Sequence, residues 1–283
     1  MDKRKLTQIV SSLLQNINIK GFLTGTIYKG LLKHFCVPSI NCYSCPGAIG
    51  ACPIGSMQVL LGSKNKKAVL YIFGFLALIG ISVGRFICGW LCLFGLIQEL
   101  LYKIPTPKIK MPKKIDKVLR YLKYILLIVF VILLPFTLQD EFGVSIPFFC
   151  KYICPVGTLE GAGPLMAFSS TLRSAAHLLF TWKLIILLII IILSIFIYRP
   201  FCKYICPLGA FYSLFQRVSF LKLQYNKSKC ILCGKCSRAC KMGIDPTKTP
   251  NSTECIRCGE CVKSCETNAL KFNIKKEKTD EKN

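Results

Sequence analysis

Cys230, Cys233, Cys236 and Cys240 are spaced C-x2-C-x2-C-x3-C, and Cys255, Cys258, Cys261 and Cys265 repeat that spacing. Two such quartets force a short segment into tight turns around shared metal centres, and few backbones satisfy both at once. The chain carries 18 cysteines in all. A disulfide scaffold is the other use of so many thiols, but such domains are normally short and secreted. This chain has 283 residues and opens MDKRK, with no apolar run followed by a small-residue cleavage site. Most of its cysteines also fall in C-x-x-C or C-x-x-x-C clusters, so they are taken as ligands first.

The Cys230 to Cys265 segment resembles the bacterial two-cluster ferredoxins. That resemblance implies Cys230, Cys233, Cys236 and Cys265 on one [4Fe-4S] cluster, and Cys255, Cys258, Cys261 and Cys240 on the other. Gly234 and Gly259 permit the tight backbone such ligation requires. Lys241 and Glu266 stand where those ferredoxins usually place proline. Four thiolates also suit zinc, but the doubled eight-cysteine spacing favours clusters. Lys227, Lys229, Lys235 and Arg257 are expected on a solvated face.

The rest of the chain is apolar. Hydrophobic residues make up 53% of the sequence, more than a soluble core needs, and Ala68 to Ile87, Tyr121 to Leu138 and Leu178 to Tyr198 each approach the ~20 residues of a membrane span. Leu6 to Tyr28 is a fourth candidate, weakened by Lys20 and several Asn and Gln. The 38 Lys and Arg against 13 Asp and Glu would suggest nucleic acid in a soluble chain, but here most border the apolar runs, so no nucleic-acid partner is expected. The loop Tyr102 to Lys123 is the densest in bases and is expected to be cytoplasmic. Counting from it gives a multi-pass protein of the cytoplasmic membrane, with about four spans, both termini inside and an acidic outer turn at Gln139-Asp140-Glu141.

An internal repeat organises this region. Phe148 to Gly161 (FFCKYICPVGTLEG) and Pro200 to Ser213 (PFCKYICPLGAFYS) share the run FCKYICP. Arg85 to Glu99 (RFICGWLCLFGLIQE) is a third copy with Leu93 in place of proline, and Ala51 to Gln58 (ACPIGSMQ) keeps only the Cys-Pro-x-Gly core. The chain thus looks like two fused halves. Cys88, Cys92, Cys202 and Cys206 form an expected inner-face metal site. Arg85 and Arg199, each near the first cysteine of its copy, either donate hydrogen bonds to it or snorkel to headgroups. On the outer face the expected ligands are Cys45, Cys52, Cys150 and Cys154, with Cys36 and Cys42 as alternates, Cys45 replacing a partner missing at Ala48. An external disulfide or inert buried thiols is the competing reading there.

These C-x3-C-P elements after spans, followed by a two-cluster tail, resemble the membrane ferredoxins of the periplasmic nitrate reductase quinol-dehydrogenase type. The nitrous-oxide reductase regulator core and the copper-oxidase accessory protein share the pattern. The resemblance implies an electron-transfer protein or oxidoreductase subunit, not a stand-alone enzyme, passing electrons between a cytoplasmic or quinone donor and a membrane or extracytoplasmic partner. The expected fold is an α-helical, internally duplicated membrane domain (1–220), an α+β ferredoxin module (221–270) and a charged, disordered tail (271–283). Two [4Fe-4S] clusters are expected in the module and one or two more in the membrane domain, with redox proteins, quinone and lipid as partners. A redox sensor and a copper or iron reductase for cofactor assembly are the alternatives. No nucleotide-binding fingerprint is present, and His34 and His177 are the only imidazoles, so bis-His haem would consume both.

Overall fold

The computed structural model describes residues 3–62, 66–109, 111–138, 145–168 and 178–274. The acidic turn at 139–141, Lys64, Asn65, His177 and the tail from 275 lie outside the described residues. The described residues are mostly helical, with one small sheet among them in the cysteine-rich module.

Among the described residues, two helices are long and apolar enough to cross a membrane: Lys114–Thr137, of 24 residues, and Leu178–Phe196, of 19. Pro135 would break the first, since it offers no N–H to the preceding turn, and the helix widens to π geometry over Leu127–Leu133 just before it. The third expected span is the apolar helix Lys66–Val83, shorter than the other two. The fourth is a correction. Leu6 to Tyr28 is split into the helices Lys3–Gln15 and Ile19–Thr24, and neither reaches across about 30 Å of hydrocarbon. Asn18 ends the first run by donating its side-chain amide to the Pro46 carbonyl, and the buried face of Lys3–Gln15 is polar, carrying Arg4, Gln8 and Ser12.

Two of the repeat copies fold as a short helix, a two-residue break ending in cysteine and a second helix. Phe86–Trp90 leads through Cys92 to Leu93–Leu101, and Pro200–Tyr204 leads through Cys206 to Pro207–Leu214. In the other two copies Cys52 precedes Pro53–Leu61, and Phe149–Ile153 leads through Cys154 to the π turn Gly157–Ala162.

The C-terminal module is framed by antiparallel strands β1 (Lys222–Tyr225) and β2 (Leu270–Asn273), in register Leu223 to Phe272. The expected charged tail therefore begins later than Lys271. Leu270 and Phe272 alternate with Lys271 and Asn273, which gives the strand one apolar face. The module is seated on the helical domain. Ile256, Met242 and Ile244 belong to the same buried core as Ile87, Phe201 and Tyr212. A Cβ at Gly89 would stand 2.2 Å from the Ile256 carbonyl oxygen, so only glycine permits this approach.

Buried charge fixes the seat. Glu254, directly before the second quartet, accepts from Arg85 at 3.1 Å and Lys123 at 2.5 Å, and both cations are fully buried. Arg257 corrects the expected solvated face: it is 1% exposed and donates to Val83 O, Gln216 O and Ser219 Oγ. Glu254→Gln leaves Arg85 and Lys123 without their counterion, and breaking such a buried pair costs about 3–5 kcal/mol. The expected result is a lower melting temperature and faster proteolysis near residues 215–222. An unchanged melt would show that the seat does not depend on this carboxylate.

Candidate functional site

The two quartets close on two cavities in the crossed pattern. One, of about 190 Å³, is lined by Cys230, Cys233, Cys236 and Cys265, and the second by Cys255, Cys258, Cys261 and Cys240. Matching residues of the two turns take left-handed backbone: Leu232 and Gly234 in one, Arg257 and Gly259 in the other. That conformation points successive N–H groups inward, which suits an anionic occupant.

A third cavity is lined by Cys88, Cys92, Cys202 and Cys206 with Arg85, Gly209, Ser39 and Ile40. Cys92 and Cys206 cap the helices that follow them, each accepting from the N–H three residues on, Gly95 and Gly209, at 3.4 Å. A thiolate there meets the positive end of a helix. Gln98 clasps the opposite half: its amide donates to Cys202 Sγ at 3.3 Å and its carbonyl accepts from Phe201 N–H at 3.1 Å.

Arg85 and Arg199 do not snorkel. Both are fully buried, and they cross between the halves, Arg85 donating to Cys202 O and Arg199 to Cys88 O. Glu99 accepts from Arg4 at 2.7 Å and from Tyr198, and pairs with Arg199 at 2.8 Å. Three guanidiniums and Lys123 thus face two buried carboxylates, Glu99 and Glu254, with the part-exposed Glu260 4.0 Å from Arg4, and Arg85 Nε and Arg199 Nε have no hydrogen-bond partner. Such a surplus is costly unless an anion balances it. A thiolate-ligated iron–sulfur cluster is anionic and fits. Burial pushes the Cys92, Cys202 and Cys206 thiols up, so loading metal there releases protons.

The remaining cysteines repeat this pattern with one substitution. Gln58 donates to Cys150 Sγ at 3.2 Å and accepts from Phe149 N–H at 2.8 Å, as Gln98 does for Cys202 and Phe201. Cys52 and Cys154 stand in the same place ahead of their helices, with Gly55 and Gly157 three residues on, though Cys52 makes no side-chain cap hydrogen bond. Cys150 and Cys42 each lie within electrostatic reach of both Cys52 and Cys154, and Cys36 within reach of Cys52. Cys45 turns away to Asn16 Oδ1 at 3.5 Å, and Cys36 sits by Ser56. The loop turns at Cys42–Cys45, and it is the alternate Cys42, not the expected Cys45, whose sulfur lies against Gly157 and Gly161. Glu160 holds the turn by accepting from Cys42 N–H at 2.9 Å, and burial pushes its carboxyl up to about 7.

The sixth residue after each capping cysteine is the feature that motif spacing did not flag. Gln58, Gln98, Glu160 and Tyr212 occupy it, and each bonds across the domain, Tyr212 to Pro38 O at 2.8 Å. Tyr212 lies within electrostatic reach of Cys88 and Cys206 on one side and of Cys36 and Cys52 on the other. The two cysteine groups therefore share one core instead of facing each other across the full hydrocarbon thickness. All 18 cysteines are free thiols, and among the described residues no three Cys, His, Asp or Glu side chains converge on a single ion.

Residues 67–112, 122–161 and 179–225 match one 4Fe-4S binding domain model, and 223–244 and 249–271 match a second. An uncharacterised protein of Methanocaldococcus jannaschii is 35% identical over 199 residues, covering 67% of this chain and 71% of that protein. YccM of Escherichia coli, whose name proposes an electron transport role, is 28% identical over 261 residues, covering 87% of this chain and 67% of YccM. The regulatory protein NosR of Pseudomonas aeruginosa is 26% identical over 160 residues, 55% of this chain but 20% of NosR. No solved structure matches the chain.

Glu99 gives the site a pH signature. Burial alone would raise its pKa, but Arg199 and Arg4 outweigh it and hold the carboxyl at about 2, against an ordinary 4.5. The stability it supplies, on the order of 3 kcal/mol, is present above pH 4.5 and is lost as pH falls towards 2. Glu99→Gln is expected to lower the unfolding midpoint at pH 7, with the gap to wild type narrowing between pH 5 and 2.5. A gap independent of pH would remove Glu99 as the anchor.

Proposed function

The chain belongs to the 4Fe-4S ferredoxin-type family with C-x3-C-P motifs, and on that footing we propose that it is a membrane-anchored carrier of single electrons. Its donor is a cytoplasmic reductant or a quinol, and its acceptor a redox partner at the membrane or beyond it. The carrying observation is contiguity: the cavity of the Cys255 quartet abuts the Cys88 group. Trp90, two residues after Cys88, donates to Arg257 O at 2.9 Å, and Gly89 lies against Ile256.

In this reading Cys230, Cys233, Cys236 and Cys265 hold one cluster, and Cys240, Cys255, Cys258 and Cys261 the next, within the module at 221–270. Cys88, Cys92, Cys202 and Cys206 hold a third between the halves. A bound [4Fe-4S] cluster supplies one-electron chemistry with no substrate bond made or broken. The protein's work is to hold and tune. Arg85 and Arg199 keep positive charge beside the Cys88 group, Gln98 donates to one of its sulfurs, and Ile40, Ile87 and Leu208 wall it from water. Hydrogen bonds and positive charge both favour the reduced, more negative state and raise the potential. The module and the basic loop before Lys123 lie on the cytoplasmic side in this proposal, joined by the Glu254 seat.

Anaerobically purified protein should carry iron and sulfide beyond the module's eight, about twelve irons or more. Cys88→Ser should lose about four irons and one paramagnetic signal while both module signals persist. Gln98→Leu should keep its iron and shift one centre to lower potential in a spectroscopic redox titration. The reduced protein should be reoxidised by a water-soluble quinone through repeated cycles without iron loss. About eight irons unaltered by Cys88→Ser would sink the third centre, and iron loss on each cycle would point to a sensor instead of a carrier.

A further inference from the structure

We infer that the chain holds one more [4Fe-4S] site, with Cys42, Cys52, Cys150 and Cys154 as its four ligands. The four thiols come from the irregular loop before Pro53–Leu61 and from the first C-x3-C-P element. They interlock across it: Cys150 Sγ lies against Gly55, just after Cys52, and Cys42 Sγ lies against Gly157 and Gly161, just after Cys154. A Cβ at Gly161 would approach Cys42 Sγ to 3.1 Å, so that glycine keeps the thiol's place open.

Three observations beyond the thiols point to an occupant. First, the surroundings copy the Cys88 group. Gln58 clasps Cys150 and Phe149 as Gln98 clasps Cys202 and Phe201, and Cys52 and Cys154 each stand three residues before a glycine as Cys92 and Cys206 do. A glutamine amide aimed at a cysteine sulfur at both places is support for a ligating sulfur, not for a packed thiol. Second, buried polar atoms without partners gather at this group. Both side-chain atoms of Asn41, next to Cys42, are unpaired, as are Thr158 Oγ1 and Glu160 Oε1. Asn41 and Thr158 are each 2% exposed. Two of these, Asn41 Nδ2 and Thr158 Oγ1, are donors; orphaned donors at such burial are rare, and cluster sulfides are acceptors that would satisfy them. Third, the segment carrying Cys150 and Cys154 falls in a stretch matching a 4Fe-4S binding domain, whereas Cys42 and Cys52 lie outside every matched stretch. The fourth repeat copy keeps Cys52, and Cys42 stands in for the cysteine absent at Ala48.

The ligand set differs from what spacing alone selects, and the difference is testable. Iron, sulfide and paramagnetic spectra would be measured on the full chain, purified anaerobically in detergent, as wild type, Cys42→Ser, Cys154→Ser, Cys45→Ser and Cys88→Ser. The expected result is about sixteen irons in wild type, loss of about four with Cys42→Ser or Cys154→Ser, and no loss with Cys45→Ser. Gly161→Ala, which crowds Cys42 Sγ, should perturb the same signal that Cys42→Ser removes. Loss with Cys45→Ser and none with Cys42→Ser would overturn the assignment. About twelve irons in wild type would overturn the site itself, whether or not any variant accumulates. Cys88→Ser reads the third centre separately, so failure here and failure of the carrier proposal are distinguishable.

Discussion

A buried excess of positive charge is the constraint around which this molecule is arranged. Arg85, Arg199 and Lys123 are fully buried and Arg4 nearly so, while Glu99 and Glu254 are the carboxylates set among them. Such charge is tolerable only where each carboxylate is shared and where an anion completes the balance. Glu254 comes from the cysteine-rich module and Arg85 from the first repeat, so charge compensation and domain docking are one event. Burial keeps the thiols at the centre of this array neutral in the absence of an occupant, so any metal bound there must displace their protons.

The second organising element is reciprocity between the halves. Gln58 and Phe149 meet as Gln98 and Phe201 do, and Arg85 and Arg199 exchange places across the interface. Where the second half lacks glutamine, Glu160 and Tyr212 take the equivalent position and hold the loop at Cys42 and Pro38 instead. The loop 35–52 has little regular structure, yet Lys33 donates to Ala48 O and Cys36 bridges Ala51. Its placement thus depends on side chains distant in sequence.

What was legible in the sequence follows the range of the forces involved. The module's quartets are local, set by spacing within a few residues, and the cavities gather the sets that spacing and resemblance implied. The apolar helices at 114–137 and 178–196 are composition, equally local. The Leu6 to Tyr28 break was foreshadowed by Asn16 and Asn18, which bond the backbone and loop more readily than they continue a helix. The fate of the arginines was not legible: the counterion of Arg85 lies 169 residues away, and hydropathy alone cannot separate a paired buried guanidinium from a snorkelling one. The exchange of Cys42 for Cys45 was hidden for the same reason, since it turns on the hydrogen bond from Cys42 N–H to Glu160, 118 residues on. The glutamines were available to inspection, six residues after Cys52 and Cys92 alike, but only their partners reveal the role.

The glutamine clasp carries a consequence for how such a molecule can diverge. One half alone owns the capping cysteine and the glutamine, but the sulfur that glutamine grips belongs to its counterpart. The grip runs one way, since Glu160 and Tyr212 of the second half reach the loop at Cys42 and Pro38 instead of a first-half sulfur. Repeats of this kind are thus free to diverge in the half that is held, while the half that holds must keep its amides.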